Sequence, residues 1–151
     1  MNSRLYGYIC SRCLRYRRVS EKNHMDTNFF WQLLEDVCQL GEFIAGIETK
    51  GAEINIVGRF QVAYDGFENV LEKQDCKDHF HLTPEKIQTI HFGYCEVSTG
   101  GSDPCIELIN EDSEICLRLF YYPYQDKELK PKYEQFMAQH QPHKNVLTGE
   151  W

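Results

Sequence analysis

Four side chains between residues 76 and 91 have the types that bind metal ions: Cys76, His79, His81 and His91. One residue separates His79 from His81, so on a β-strand both imidazoles point to the same face. Neutral imidazole is the commonest metal ligand in proteins, and three ligands of mixed type suit zinc. The same pattern also fits a solvated His79 and a His81 that hydrogen-bonds within a sheet. The spacing alone leaves both interpretations open.

The rest of the sequence carries no signature of a hydrolytic or phosphate-binding site. Its serines lack the G-x-S-x-G motif, and no cysteine lies in a recognisable nucleophile motif. The glycine-rich segment 98–104 is not followed by a predicted helix, which a phosphate-cradling loop requires. The residues therefore predict no hydrolytic centre.

Apolar residues at helical spacing predict two helices that enclose the domain. The first begins near Thr27, and Pro131 fits the first turn of the second. The buried faces are predicted to be Phe30, Leu33, Leu34 and Val37 in the first helix and Tyr133, Phe136, Met137 and His140 in the second. Both helices are therefore expected to lie on a core.

Between the helices, alternating apolar and polar residues predict an antiparallel β-sheet meander of about five or more strands. The strands are predicted at 53–64, with a kink or break at Gly58, and at 79–82, 87–97, 105–110 and 114–122. Residues 67–78 are polar enough for a loop or an irregular helical turn. The order of helix, meander and helix indicates an α+β fold with helices on one face of the sheet. Strand 87–97 has two mixed faces, which suits a sheet that lines a cavity on one side.

Composition and charge restrict the cellular setting and the partners. Seven cysteines at irregular spacing favour reduced, mostly buried thiols and a cytoplasmic protein. No apolar run is long enough to cross a membrane. The net charge of −7 divides into +5 for residues 1–24 and −12 for the remainder. An acidic body argues against nucleic acid as the main partner, since phosphates require a clustered basic face.

One domain is expected at residues 25–140, because a chain of 151 residues has the length of a single domain. Residues 1–24 are predicted to be a basic, disordered tail or a gene-model extension that precedes a true start at Met25. Residues 141–151 are predicted to be a flexible tail. Mass spectrometry of the native protein tests the start, because a peptide from residues 4–12 would exclude Met25.

Three segments of the sequence resemble the haem-utilisation carrier family, of the HemS, ChuX and HutX type. They are HFHLTPEKI at 79–87, Ile90–His91–Phe92, and PCIELINEDSEICLRLFYY at 104–122. The resemblance covers about residues 53–140, the length of one repeat of the two-repeat members. It implies an intracellular haem-binding or haem-trafficking protein that is a homodimer through its sheet. A carrier is implied rather than an enzyme, although some two-repeat relatives degrade haem.

The resemblance also assigns candidate haem contacts. His81 matches the strand histidine of the family and is the first candidate, in a hollow between the sheet and its covering elements. His79 and Tyr94 are the second candidates, and the resemblance implies propionate contacts for Arg59, Lys73 or Arg118. Relatives often carry a further histidine where this chain has Tyr64–Asp65–Gly66–Phe67.

Two alternatives stay open on the sequence alone. The first is a dimeric interaction module that keeps the fold without haem. The second is a zinc-binding protein that uses Cys76, His79, His81 and His91.

Overall fold

Two antiparallel sheets and two helices form the protein. The structure is a computed structural model that describes residues 9–10, 13–17, 27–96, 102–121 and 128–140. The helices are α1 (Thr27–Cys38) and α2 (Leu129–His140), and a 3₁₀ turn spans Pro84–Lys86. The strands are β1 (Ile9–Cys10), β2 (Cys13–Arg17), β3 (Phe43–Thr49), β4 (Ala52–Gly58), β5 (Phe60–Tyr64), β6 (Asn69–Lys73), β7 (His79–Phe80), β8 (Ile87–Glu96), β9 (Ser102–Asn110) and β10 (Ile115–Tyr121). The expected α+β class and antiparallel meander with flanking helices are confirmed.

Seven strands form the larger sheet, in the order β1-β2-β8-β9-β10-β3-β4. Its centre is built by hairpin pairing, with Phe92 opposite Ile106 and Leu119 opposite Ile106 on the other side. A register shift between Ile87 and Thr89 marks a bulge at the start of β8. The smaller sheet has the order β5-β6-β7. The predicted break at Gly58 therefore separates two strands that belong to different sheets.

The hydrophobic core lies between one face of the larger sheet and a cover made by α1, the smaller sheet and α2. Alternation along the strands sends Phe92, Ile106 and Leu119 into this core. α1 contributes Phe30 and Leu34, on the apolar face that its spacing predicts. Large, fully buried side chains, among them Phe30, Phe92 and Tyr133, lie between the larger sheet and its cover, where the sequence interpretation expected a hollow.

α2 closes the core at the centre of the larger sheet. Its Tyr133 is fully buried, and Phe136 packs against Phe92 with tilted rings whose centroids are 5.4 Å apart. The Tyr133 hydroxyl lies 2.9 Å from the backbone oxygen of Gly93 and 3.3 Å from that of Cys105, which both accept from it. The predicted apolar face of this helix is confirmed at Tyr133, Phe136 and Met137.

The N-terminal segment contains regular structure in the part that the structure describes. Ile9–Cys10 and Cys13–Arg17 form strands where a disordered tail was expected, and β2 pairs with β8. The start at Met25 and the domain limits stay predictions, and the tail 141–151 lies outside the described residues. No helix in the described ranges is long and apolar enough to span a bilayer.

The cysteines that the structure describes differ in burial and in bonding. Cys38 is buried in α1, and this burial, with the nearby charge of Glu35, raises the pKa of its thiol to about 12. Cys76 is exposed and Cys116 is half-buried. Cys105 is disulfide-bonded, so the expectation of reduced thiols is wrong for this residue.

Candidate functional site

The two histidines of the motif come together on the smaller sheet. Phe80 and Leu82 turn toward the core, so His79 and His81 extend to the opposite side. Their Nε2 atoms lie 3.1 Å apart, and the rings meet edge to face with centroids 4.7 Å apart. The His81 side chain is 58% exposed and lies outside the described cavities. The predicted apolar enclosure around His81 is therefore absent from the described part of the chain.

Two acidic residues from the β5–β6 turn, Asp65 and Glu68, lie beside these histidines. Glu68 Oε1 lies 2.8 Å from His81 Nδ1, and a carboxylate oxygen of Asp65 lies within 4.8 Å of the imidazole nitrogens. Asp65 Oδ1 accepts hydrogen bonds from the backbone N–H groups of Phe67 and Glu68. These bonds, led by that from Glu68, lower the pKa of Asp65 below its ordinary value. We call Asp65, His79 and His81 the histidine cluster.

The sequence placed two further residues, Cys76 and His91, with these histidines. Among the described residues, neither joins the histidine cluster. His91 lies in the larger sheet, where its Nδ1 is 2.9 Å from Glu107 Oε1 on the neighbouring strand. The alternation of side chains along a strand predicted which face of its strand each histidine occupies. It could not predict that the strands of His79 and His91 belong to different sheets.

The three basic residues proposed as propionate contacts lie at two places away from the histidine cluster. Arg59 and Lys73 line a groove of about 290 Å³ beside Asp75, which pairs with the Lys73 ammonium at 3.1 Å. Arg118 lies on the outer face of the larger sheet, where its Nη2 is 2.9 Å from Glu107 Oε2. The structure therefore does not bring these three cations together.

Tyr94, the remaining candidate, packs beneath α2. Its ring meets Tyr133 edge to face at 5.7 Å, and Lys130 lies 5.9 Å from its centroid. The hydroxyl donates to Glu134 at 3.4 Å. Tyr94 therefore serves as a contact between α2 and the sheet and lies apart from the histidine cluster.

A broad groove lies on the outer face of the larger sheet. It has a volume of about 740 Å³ and is lined by the β3–β4 hairpin and by the start and centre of β10. Its apolar walls include Ile47, Ile115 and Phe120. Gly46 forms part of its lining, and a Cβ there would lie 2.7 Å from the Asn55 side-chain oxygen. Sequence reasoning missed this groove because β3 was not predicted.

Charged residues of both signs surround this groove. The Arg118 guanidinium lies 5.4 Å from the Phe120 ring centroid and 3.7 Å from Glu48 Oε2. Lys50 adds a second cation, while Glu53 and Glu114 add carboxylates. The groove therefore combines a few apolar side chains with charged groups of both signs.

Comparison with known proteins defines the fold. No family model and no curated protein matches this sequence. Among solved structures, ChuX is similar with a TM-score of 0.67 and 14% identity, over 87% of this chain and 79% of that chain. ChuS, an Escherichia coli heme oxygenase, gives a TM-score of 0.57 and 13% identity, over 87% of this chain and 37% of its own. PhuS, a heme-binding protein from Pseudomonas aeruginosa, gives 0.55 and 13%, over 83% of this chain and 34% of its own.

These likenesses confirm the predicted fold resemblance. The chain has the α+β fold of the ChuX, ChuS and PhuS structures. More specifically, it corresponds to ChuX over most of both chains and to about a third of ChuS and PhuS. At identities near 14% the likeness concerns the fold.

Proposed function

We propose that this chain binds haem and carries it as cargo in the cytoplasm. The observation that carries the proposal is the shared fold, because ChuX and PhuS are heme-binding proteins and ChuX matches over most of both chains. Fold does not by itself imply function. The proposal therefore needs a place on this chain that suits a porphyrin.

We place the haem in the groove on the outer face of the larger sheet. Its volume of about 740 Å³ lies within the range of ligand sites, roughly 300–1,000 Å³. Gly46, Ile115 and Phe120 give a partly apolar wall for the macrocycle. The histidine cluster offers no such wall, since its side chains are exposed.

Arg118 is the candidate partner for a propionate in this groove. Its guanidinium is fixed by Glu107 at 2.9 Å and stacks on Phe120, so it is already positioned beside the apolar wall. Glu48, the looser partner at 3.7 Å, has a side chain that is 68% exposed. A propionate can replace that weak surface pair, which itself contributes about 0–1 kcal/mol.

Burial of the macrocycle supplies most of the affinity in this proposal. Covering roughly 400 Å² of apolar surface at about 25 cal/mol per Å² gives on the order of 10 kcal/mol before the costs of association. The described residues that line the groove include no histidine, tyrosine, cysteine or methionine. The groove therefore holds haem through the macrocycle and its propionates, without an axial ligand from its described wall.

A haemin titration of the full chain tests the function and the place together. Wild type is expected to give a saturable Soret band at one haem per chain. Arg118→Gln is expected to weaken binding roughly 10- to 100-fold, since a charge-assisted hydrogen bond contributes about 1.5–3 kcal/mol. Lys86→Gln, which removes an exposed cation elsewhere, is the matched control.

The variant His81→Ala distinguishes haem binding in the groove from haem binding at His81. In the groove proposal this variant keeps the haem affinity and the spectrum of wild type. A changed spectrum with intact binding would place the haem at His81 and contradict the groove. Absence of a saturable band in wild type would contradict haem binding and favour an interaction module with the same fold.

Carriage and degradation of haem are distinguished by the stability of the complex. The Soret band of a cargo complex is expected to persist when a reductant and oxygen are added. Its loss, with release of iron, would indicate a haem-degrading enzyme instead.

We also propose that the protein acts as a homodimer.

A further inference from the structure

We propose that Asp65, His79 and His81 form a binding site for a divalent transition-metal ion of the zinc type. The site lies on the smaller sheet, whereas the proposed haem groove lies on the larger one. It is therefore independent of the haem proposal. The ligand set keeps both histidines of the sequence motif and replaces Cys76 and His91 by Asp65.

The hydrogen bonds of the two rings fix where their protons lie. His79 Nδ1 is 3.0 Å from the backbone oxygen of Lys77, which can only accept, so Nδ1 of this ring donates. His81 Nδ1 is 2.8 Å from Glu68 Oε1, and a carboxylate likewise accepts. In neutral rings each Nε2 is then left with a lone pair.

These two lone pairs face each other across 3.1 Å. Two acceptors cannot stabilise one another at this distance, so a positive species must lie between them. A shared proton or a metal cation meets this requirement. The spacing fits either species, because hydrogen-bonded heavy atoms lie about 2.7–3.2 Å apart and two nitrogens at about 2.0–2.1 Å from a tetrahedral zinc lie roughly 3.3 Å apart. The Asp65 carboxylate beside both rings favours the metal cation, because it offers a third ligand.

The surroundings of both rings match the outer shell of metal sites. Metal-binding histidines commonly donate their second ring N–H to a carboxylate or a backbone carbonyl, which fixes the tautomer and the ring orientation. Glu68 provides the first kind of partner for His81, and Lys77 provides the second for His79. The histidine cluster therefore holds two oriented Nε2 donors before any ion binds.

Asp65 supplies a third ligand with negative charge. Its Oδ1 is fixed by two backbone N–H groups at 2.8 and 2.9 Å, so its Oδ2 can face the cation. Two imidazoles and one carboxylate are a common ligand set for zinc and leave one position for water. The absence of thiolate ligands and the exposure of all three residues favour a site open to exchange.

Zinc binding to the full, tag-free chain after treatment with a chelator tests the proposal. Calorimetry and elemental analysis are expected to give one zinc per chain. His81→Ala and Asp65→Asn are each expected to weaken binding at least tenfold. The amide introduced by Asp65→Asn keeps an acceptor oxygen for the turn, so this variant removes the charge without removing the turn.

Positioning and control variants complete the test. Glu68→Gln is expected to weaken binding about tenfold, as loss of an outer-shell partner does. Cys76→Ser and Asp75→Asn, which change exposed residues outside the cluster, are expected to bind as wild type does. Circular dichroism checks that each variant is folded.

Three results would overturn the metal site. They are absence of stoichiometric zinc binding in wild type, wild-type affinity in both Asp65→Asn and His81→Ala, and loss of binding in Cys76→Ser alone. The first result would leave the shared proton as the species between the rings. None of them changes the expected outcome of the haemin titration, so the two proposals fail separately.

Discussion

At the scale of single residues, the outer face of the larger sheet is organised by Glu107. This carboxylate accepts from His91 on one side at 2.9 Å and from Arg118 on the other at 2.9–3.0 Å. Its side chain is only 16% exposed. Glu107 therefore connects three neighbouring strands and fixes the guanidinium that the haem proposal uses.

Glu107 also makes the stability of the protein depend on pH. The hydrogen bond from His91 and the charge and hydrogen bond of Arg118 lower its pKa, although burial opposes them. Because the pKa of Glu107 is lower in the folded than in the unfolded protein, ionised Glu107 stabilises the folded state at pH values above its ordinary pKa. This stabilisation is lost as the pH falls through the pKa of the folded state. The loss is therefore expected in the acid range below about 4.5.

Glu107→Gln is expected to reduce the free energy of unfolding by about 1–3 kcal/mol at pH 7. At acid pH the difference from wild type should shrink, because protonated glutamate and glutamine carry the same charge. Urea unfolding at both pH values measures the effect, with Glu85→Gln as an exposed control. An equal difference at both pH values would contradict the assignment.

At the scale of elements, the buried Tyr133 hydroxyl adds a polar contact between α2 and the sheet to the ring contacts of Tyr133 and Phe136. Tyr133→Phe keeps the ring in the core and leaves two backbone oxygens without the donor that lies 2.9 and 3.3 Å away. We expect a loss of about 1 kcal/mol in the free energy of unfolding, measured in urea. Tyr64→Phe is the control, since Tyr64 is 68% exposed. Equal losses in both variants would argue against the attachment.

The elements with regular periodicity could be predicted from the sequence, whereas β1, β2, β3 and β6 could not. β10 alternates Leu117 and Leu119 inward, and α2 repeats its aromatic residues at helical spacing. β6 instead buries Val70 and Leu71, which are neighbours, and β3 is interrupted by Gly46. Their strand conformation comes from pairing with other strands, and a local pattern does not contain that information.

The candidate sites could likewise be predicted from the sequence only in part. The shared side of His79 and His81 followed from strand alternation. Asp65 joins them because the β5–β6 turn folds back onto β7, which depends on the pairing of three strands. Arg118 and Gly46 likewise form a groove only because β10 pairs with β3. Distant pairings of this kind require the folded chain.

At the scale of the whole molecule, the filled core and the open outer face restrict where ligands can bind. Tyr133, Phe30, Phe43 and Phe92 occupy the space between the larger sheet and its cover. The groove lies on the outer face, near the edge strand β4. A second copy that approaches this edge would also approach the groove.

The edge strand β4 is the candidate surface for the proposed homodimer. Its outer edge has no strand partner among the described residues, and Ile54 and Val57 on this strand are 60% and 39% exposed. Edge strands are ready templates for pairing with another chain unless charge or proline blocks them. Ile54 and Val57 are three residues apart and therefore lie on opposite faces of the sheet. Pairing of two β4 strands about a twofold axis would place each of them beside side chains of the second copy on its own face.

Sedimentation velocity over a range of protein concentrations tests this dimer. Ile54→Lys is expected to raise its dissociation constant about tenfold or more, since burial of an isoleucine contributes about 1.5–3 kcal/mol and a lysine cannot replace it. Phe67→Ser is the matched control, because Phe67 is an apolar residue that is 92% exposed in the β5–β6 turn. A wild-type protein that stays monomeric would contradict the homodimer. A dimer that Ile54→Lys leaves intact would move the contact away from β4, because a buried lysine at that edge could not be accommodated without loss of affinity.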